Sequence, residues 1–380
     1  MNVKLSEELK MLKEMAYKFA VAEFTPHIRE CDEHETYTPE IRKKAAANGL
    51  VGAWIPDAYG GAGAGILGNA VITEELSKID MGIGLNVVAA CFGCESIFQY
   101  GSEEQKKKWL PPVCAGETVS AGAFTEPNAG TDVAGYKTRA VKQGDRYVIN
   151  GNKMFITNGT VCDFMVAQCI TNPDEKKHNS FSLIIVPADT PGVTRNKIRG
   201  KMGIRSSDTA EIAFEDVKVP VTNLVGKEGK GFYELMHFFD TTRVMVSAQG
   251  LGLSEACLEA SVKYCKERTA FGAPLGSYQL TQKKLAEMAI MIEALRGLVY
   301  QSAALIDEGT PDYTLAAMAK FYSGQTAVFC ANCAVELHGG YGYIDEYACQ
   351  KWYRDAKILE LYEGTKEAEI MTIGRYLQAR

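Results

Sequence analysis

Apolar positions over residues 6–33 recur every three to five places, at Leu9, Leu12, Met15, Phe19 and Phe24, as on one buried face of a long helix. Thr38-Pro39 opens a shorter helix ending near Ala47, with proline in the first turn, where its missing N–H costs little. Residues 49–65 carry Pro56, Tyr59 and clustered glycines and predict a loop. Helical spacing returns over 69–79, 83–100 and 102–115. The chain therefore begins with a block of four or five helices of ordinary length.

The pattern then changes. Between 118 and 225, short runs rich in Val, Ile, Phe and Thr alternate with turn signals. Residues 138–142, the turn Gly144-Asp145 and residues 146–150 predict a hairpin. Further strands are expected at 163–170, 181–186, 193–198 and 210–214. Strands this closely spaced leave no room for crossover helices, which predicts an antiparallel barrel or sandwich. Beyond Gly231, long helical segments follow at 232–268, 279–307 and 311–338, suited to an antiparallel bundle, then two shorter ones at 347–359 and 365–379. The expected class is α+β in three parts: residues 1–117 helical, 118–228 β-barrel, 229–380 a four-helix bundle.

A chain of 380 residues exceeds one simple core, which suits that division. Net charge is −6 and the basic residues are dispersed apart from Lys106-Lys107-Lys108, which reads as a solvated helix face. Nucleic acid and anionic membranes are not the expected partners. The N-terminus starts an amphipathic helix rather than a signal peptide, and no run of eighteen apolar residues predicts a membrane span. Eleven cysteines, an odd number spread along the chain, suit free thiols in a reducing compartment, so a cytoplasmic location is expected.

Several motifs have both an ordinary and a chemical reading. Gly63-x-Gly65-x-x-Gly68, with Asp80 beyond it, matches a dinucleotide fingerprint, but no strand precedes it, so a mobile loop is expected. Cys91-x-x-Cys94 and Cys330-x-x-Cys333 have metal-like spacing, but both lie in apolar helical runs and predict packed thiols, with no metal site. Phe124-Thr125-Glu126-Pro127-Asn128-Ala129-Gly130-Thr131-Asp132 is either an interstrand loop or a cradle of N–H and hydroxyl groups for a phosphate or a ring carbonyl. Phe155-Ile156-Thr157 repeats the theme of a ring to stack and a hydroxyl to bond. Arg243 is a helix ion-pair partner or a phosphate clamp, and Arg268, at a helix end, can pair with a diphosphate. Residues 338–342 form a glycine-rich helix end that a ligand can approach closely. In Tyr362-Glu363-Gly364-Thr365 a carboxylate stands at a break between helices; it is a solvated cap or, in a partly dry pocket, a general base.

Taken together, residues 125–132, 154–159, 267–272, 338–342 and 354–357 with Tyr362-Glu363-Gly364-Thr365 resemble the acyl-CoA dehydrogenase family, in register over essentially the whole chain. The resemblance implies an N-terminal helical domain, a middle β-barrel and a C-terminal four-helix bundle, with FAD between the last two. It implies flavin contacts from Phe124, Thr125, Gly130, Thr131, Phe155 and Thr157. It implies contacts to the adenosine diphosphate half from Arg268 and Gln279, and from Glu336, Gly339 and Gly340 across a subunit interface. Thr365 and Glu367 complete that site. Asp240 and Arg243 fall where the family holds CoA, and Cys91, Tyr362 and Gly364 fall beside the acyl group. Glu363 matches the catalytic base that takes the α-proton while the β-hydrogen leaves as hydride to the flavin. Thr242 stands where some subfamilies place their base instead.

The same resemblance implies a homotetramer that passes electrons to an electron-transferring flavoprotein. Residues 82–94 lack charge, so a neutral acyl group is expected: short, branched or cyclic, of a cyclohexane-carboxyl type among others. Two alternatives stay open, an oxidase-type member of the same fold and a non-catalytic flavin- or CoA-binding protein.

Overall fold

The computed structural model describes residues 4–378. Its first part is helical: α1 (Glu7–Phe24), α2 (Ile28–His34), α3 (Pro39–Ala47), α4 (Gly65–Ile79), α5 (Met81–Val88), α6 (Cys94–Tyr100) and α7 (Glu103–Cys114). Two helices expected as single are broken. Pro26 separates α1 from α2, since proline removes a donor and its ring restrains the residue before it. The expected helix over 83–100 divides at residues 89–93, where Gly93 takes φ +101° at the start of α6. Ser102 and Gln105 close a reciprocal capping box on α7.

The glycine motif is no mobile loop. Gly65 begins α4, and the N–H groups of Ile66 and Leu67 donate to the Asp307 carboxylate at 2.6 and 2.9 Å. A Cβ on Gly65 would sit 2.8 Å from those oxygens, so this glycine admits a helix cap from a distant element. Asp80 caps α5 through the Ile83 N–H at 2.8 Å and pairs with Lys351 at 2.6 Å.

The middle part is an eight-stranded sheet: β1 (Ser120–Ala123), β2 (Arg139–Gln143), β3 (Arg146–Thr157), β4 (Phe164–Ile170), β5 (Phe181–Pro187), β6 (Val193–Lys197), β7 (Thr209–Pro220) and β8 (Leu224–Val225). Strand order is β6-β7-β3-β2-β4-β5-β8, with β1 added beside β4. Pairing is antiparallel except at β4, which runs parallel to β1 and meets β2 in parallel at Arg139–Ile170, a departure from the all-antiparallel expectation. The long β3–β7 ladder shifts register twice, between Ile149 and Gly151 and between Lys153 and Ile156. Such shifts re-aim side chains, and the second one carries Phe155.

The last part is α8 (Gly231–Glu267), a small hairpin of β9 (Thr269–Ala270) and β10 (Ala273–Pro274), α9 (Gln279–Asp307), α10 (Tyr313–His338), α11 (Gly340–Tyr343), α12 (Cys349–Ala356) and α13 (Lys366–Gln378). Ala379, the expected end of the last helix, lies outside the described residues. Helix α8 is the axis. A Cβ on Gly250 would lie 2.1 Å from Ser323 Oγ of α10, and one on Gly252 would lie 2.0 Å from the Glu74 carbonyl of α4, so these glycines set how closely the helices pack. A continuous apolar core joins the N-terminal helices, one face of the sheet and the bundle.

Candidate active site

Glu363 lies in the short link between the turn Lys357–Glu360 and α13. Its backbone takes φ +54°, uncommon for a residue with a Cβ, and Gly364 follows at φ +100°. The surroundings hold this conformation. The buried Lys320 ammonium of α10 donates to the Gly364 carbonyl. Thr365 caps α13 through the Ala368 N–H at 3.3 Å. Tyr362 donates its hydroxyl to Gln249 Oε1 at 2.5 Å. Thr242 Oγ1 donates to Glu363 Oε2, also at 2.5 Å. Strain held at one residue by four neighbouring contacts is characteristic of a functional position.

Burial raises the Glu363 carboxyl above the usual range, against the Thr242 hydrogen bond and the charges of Arg243 and Lys320. Burial lowers Lys320 to about 8, opposed by Glu369 and Glu363. Behind the loop lies Glu369, fully buried and also raised by burial. Arg243 Nε stands 3.1 Å from Glu369 Oε1, and Arg243 Nη1 stands 3.3 Å from Asp240 Oδ1. Arg243 and Asp240 are each nearly buried, their charges turned toward each other, and Arg243 also faces Glu369 behind the Glu363 loop. Even so, burial pushes Asp240 up to about 7.

All three parts of the chain reach this place. From the sheet, Tyr136 is close enough for Glu363 to act on its phenol, and its hydroxyl meets Thr125 and the Gly130 carbonyl, the latter at 3.2 Å. The 124–126 segment is fixed from below by Lys153, fully buried, which donates to the carbonyls of Phe124 and Gln168 at 3.0 and 2.8 Å and pairs with Glu126 at 3.0 Å. Glu126 in turn accepts from the N–H groups of Lys137 and Thr138. The Phe124 ring is committed to the core, 5.1 Å from the ring of Phe238. Thr125 accepts the Met154 N–H at 2.8 Å, which sets Phe155 beside it. Phe155 has φ +59° and leaves 64% of its surface exposed, a ring held out by strained backbone with no ring to stack on among the described residues. Thr157 is half-buried on the same strand, while Gly130 and Thr131 are exposed in the loop.

From the N-terminal helices comes Glu95, on the first turn of α6, which sequence reasoning passed over because it lies just past the uncharged stretch. Burial raises it to about 8, and Glu363 repels it. Cys91 faces the helical core instead, beside Trp54 and Cys114, buried, with its thiol raised by burial. All eleven cysteines are free and buried. The one carboxylate cluster that could hold a cation among the described residues, Glu74, Glu75 and Glu255, is already paired with Lys13, Arg296 and Lys78.

The remaining expected residues lie elsewhere. Arg268, Glu336, Gly339 and Gly340 line one open cavity of about 490 Å³, with Tyr264 and His338 stacked at 4.2 Å. Glu336 is lowered by hydrogen bonds from Lys284 and Asn332. Gln279 is exposed at the start of α9, and Glu367 is exposed in the first turn of α13. Thr242 and Arg268 stand 26 residues apart on α8 and its cap, about 39 Å at 1.5 Å per residue.

Family models agree with this architecture along the chain. The acyl-CoA dehydrogenase N-terminal domain matches residues 6–117, the middle domain 121–217 and the C-terminal domain 229–378. The chain belongs to the acyl-CoA dehydrogenase family. It is 40% identical over 382 residues to the acryloyl-CoA reductase (NADH) of Anaerotignum propionicum, covering all of this chain and 97% of that one. The butyryl-CoA dehydrogenase structure from Megasphaera elsdenii superposes with a TM-score of 0.96 at 39% identity, covering 100% of both chains. A structure described as the electron transferring flavoprotein of Acidaminococcus fermentans also gives 0.96, at 40% identity, covering 99% of each.

This acyl-CoA dehydrogenase family is FAD-dependent, and the residues here fit a flavin. The unstacked Phe155 ring offers a face for an aromatic system, and the exposed 130–131 loop offers backbone and hydroxyl groups to a phosphate. Sequence reasoning missed Lys320, Glu369, Gln249 and Glu95. Only Lys320 left a signal, as a lone charge in the apolar run 315–322.

Proposed function

We propose that this protein oxidises a short, neutral acyl-CoA across its α,β-bond to the 2-enoyl thioester, with Glu363 as the base. The observation that carries this reading is the Glu363 carboxylate, raised by burial, hydrogen-bonded to Thr242 and aimed by a strained backbone into the meeting place of the three domains. Bound FAD supplies the two-electron acceptor for the β-hydrogen. The chain's own residues do the rest. Glu363 takes the α-proton, and its raised affinity for that proton brings the base closer to the working pH. Lys320 holds the Gly364 carbonyl, so Glu363 does not swing away from the substrate. Tyr362 and the aromatic wall keep water out. The Glu363 N–H supplies a donor for charge developing on the thioester carbonyl.

A short acyl group accords with the butyryl and acryloyl thioesters named for two relatives. Transfer of electrons to an electron-transferring flavoprotein accords with the third. We further propose a cytoplasmic homotetramer divided near residues 117 and 228. Helix α9 supports the assembly: its most apolar eighteen residues have a mean hydropathy of 1.3, yet only a third of them are buried, and Leu280 and Ile290 are exposed. The cavity at Arg268 supports it too, since one FAD does not reach both that cavity and Glu363 in a single chain. Arg268, Gln279, Glu336, Gly339 and Gly340 would then serve the flavin of a second copy.

The test is anaerobic titration of wild type and Glu363→Gln with acyl-CoAs from acryloyl to branched and cyclic, following loss of oxidised flavin absorbance. The amide keeps the shape of the base but takes no proton. Bleaching of wild type with the variant left yellow is expected. Wild type left yellow by every thioester would overturn the reading.

A further inference from the structure

Glu95 has no part in the chemistry above. Its carboxylate is held by backbone N–H groups only, those of Gly93, at 2.8 Å, and of Glu95 itself; among the described residues no side chain donates to it. Protein surrounds it, yet it keeps accessible surface, as Glu363 does, the mark of a group lining an internal cleft. Glu363 is the charged side chain that acts on it across that cleft. The chain beside each of them is apolar: the ring of Phe92, three residues before Glu95, lies 5.0 Å from that of Phe238, four residues before Thr242, and Phe238 in turn packs on Phe124. Two carboxyl groups thus act on each other where aromatic rings pack.

We propose that Glu95 is a specificity residue at the far end of the acyl cleft, and that the substrate is a short acyl-CoA carrying a neutral oxygen function, a hydroxyl or a carbonyl, beyond the β-carbon. This rests on the reading of Glu363 as the base. A plain hydrocarbon chain would strip water from the Glu95 carboxyl and add no partner to its two backbone N–H groups, leaving its remaining hydrogen-bonding capacity unmet, a costly arrangement. A distal carboxylate would bring a further charge into apolar surroundings, beside Glu363 and with no cation acting on Glu95 among the described residues, which is also costly. A neutral oxygen satisfies the carboxyl, and a site built to bond a hydroxyl discriminates strongly against the analogue without it.

The experiment uses the flavin-loaded Glu363→Gln protein, in which binding is read without turnover. Dissociation constants are measured from flavin absorbance changes for 4-hydroxybutyryl-CoA and for pentanoyl-CoA, which puts a methyl where the hydroxyl stood. The hydroxyl thioester is expected to bind about ten-fold tighter or more. Adding Glu95→Leu should erase or reverse that ratio, whereas Glu95→Gln, still able to donate, should keep most of it. Pentanoyl-CoA binding as tightly as the hydroxyl thioester overturns the proposal, whatever the variants do. So does a ratio unchanged in a Glu95→Leu protein of normal flavin content. Wild type is titrated in parallel. If neither thioester bleaches it, the dehydrogenation reading falls and this proposal with it; if they bleach it and the ratio ignores Glu95, this proposal alone falls.

Discussion

Replacing Gly364 with alanine tests whether the loop geometry, and not merely the presence of a carboxylate, makes Glu363 a base. Gly364 has φ +100°, where an L-residue costs about 1–3 kcal/mol. An added Cβ would stand 2.0 Å from Glu369 Oε1. Glu369 is fully buried with Arg243 Nε 3.1 Å away, so it has little room to retreat, and overpacking of this kind adds about 1–3 kcal/mol. The combined cost of about 2–6 kcal/mol is most easily relieved by shifting the link that carries Glu363. A misplacement of about 1 Å lowers the rate about 10²-fold. Gly374→Ala is the matched control: it lies in the helix that follows, nothing stands within 4 Å of its added Cβ, and alanine should stabilise that helix by about 0.5–1 kcal/mol. The assay is the anaerobic rate of flavin bleaching by an acyl-CoA, with melting temperature and flavin content recorded for both variants. Gly364→Ala is expected to bleach about 10²-fold slower than Gly374→Ala. A folded, yellow Gly364→Ala protein bleaching within three-fold of wild type, on the order of RT in barrier height, would refute the argument.

Other outcomes follow from the same contacts. Asp240, raised to about 7 from an ordinary 3.8, binds its proton more tightly folded than unfolded. Stability should therefore fall between about pH 4 and pH 7, by at most about 4 kcal/mol, and Asp240→Asn should flatten that slope in melts across the range. Lys153→Met leaves Glu126 buried without its cation, and a loss of about 3–5 kcal/mol is expected in thermal or denaturant unfolding; unchanged stability would show that the pair is not needed to hold the 124–126 segment. Arg268→Ala should reduce flavin retained through gel filtration while leaving the melting temperature of the flavin-free protein nearly unaltered, since its side chain lines an open cavity.

What was legible in the sequence was whatever depends on local periodicity. The long helices α8, α9 and α10 lie within a few residues of their expected bounds because their apolar spacing is sustained over many turns. Breaks were less legible: Pro26 follows the end of α1 and Gly93 precedes the start of α6, both inside stretches whose apolar spacing carries on across them, and spacing alone does not weigh one residue against a whole face. The glycine motif misled in another way. Its purpose is to admit the Asp307 carboxylate to the start of α4, from 241 residues away at Ile66, and no local pattern encodes that meeting. The place of Glu363 at a break between helices was legible through its motif. Lys320, Glu369 and Glu95, which set its charge environment, were not, because each is an ordinary helical residue whose role exists only once three domains close upon it.

The length of α8 carries a consequence for how the motifs belong together. Along the chain, residues 125–131, 268 and 336–340 read as parts of one flavin site. In space, Thr242 touches Glu363 from the first half of α8, and Arg268 shares a cavity with Glu336, Gly339 and Gly340 at its C-terminal end, about 39 Å away. Arg268 lines the same cavity as Glu336, Gly339 and Gly340, so one ligand in that cavity would meet all four from the same subunit. If those residues serve a partner's flavin, Arg268 does so as well. The exposed apolar face of α9, which follows Arg268 after the β9–β10 hairpin, then has a reason to be apolar: docking it against a second copy is what would carry one chain's Arg268 to the other chain's FAD. On this geometry flavin affinity and assembly are linked, and dilution below the assembly's dissociation constant should release FAD, whereas excess FAD should hold the assembly together.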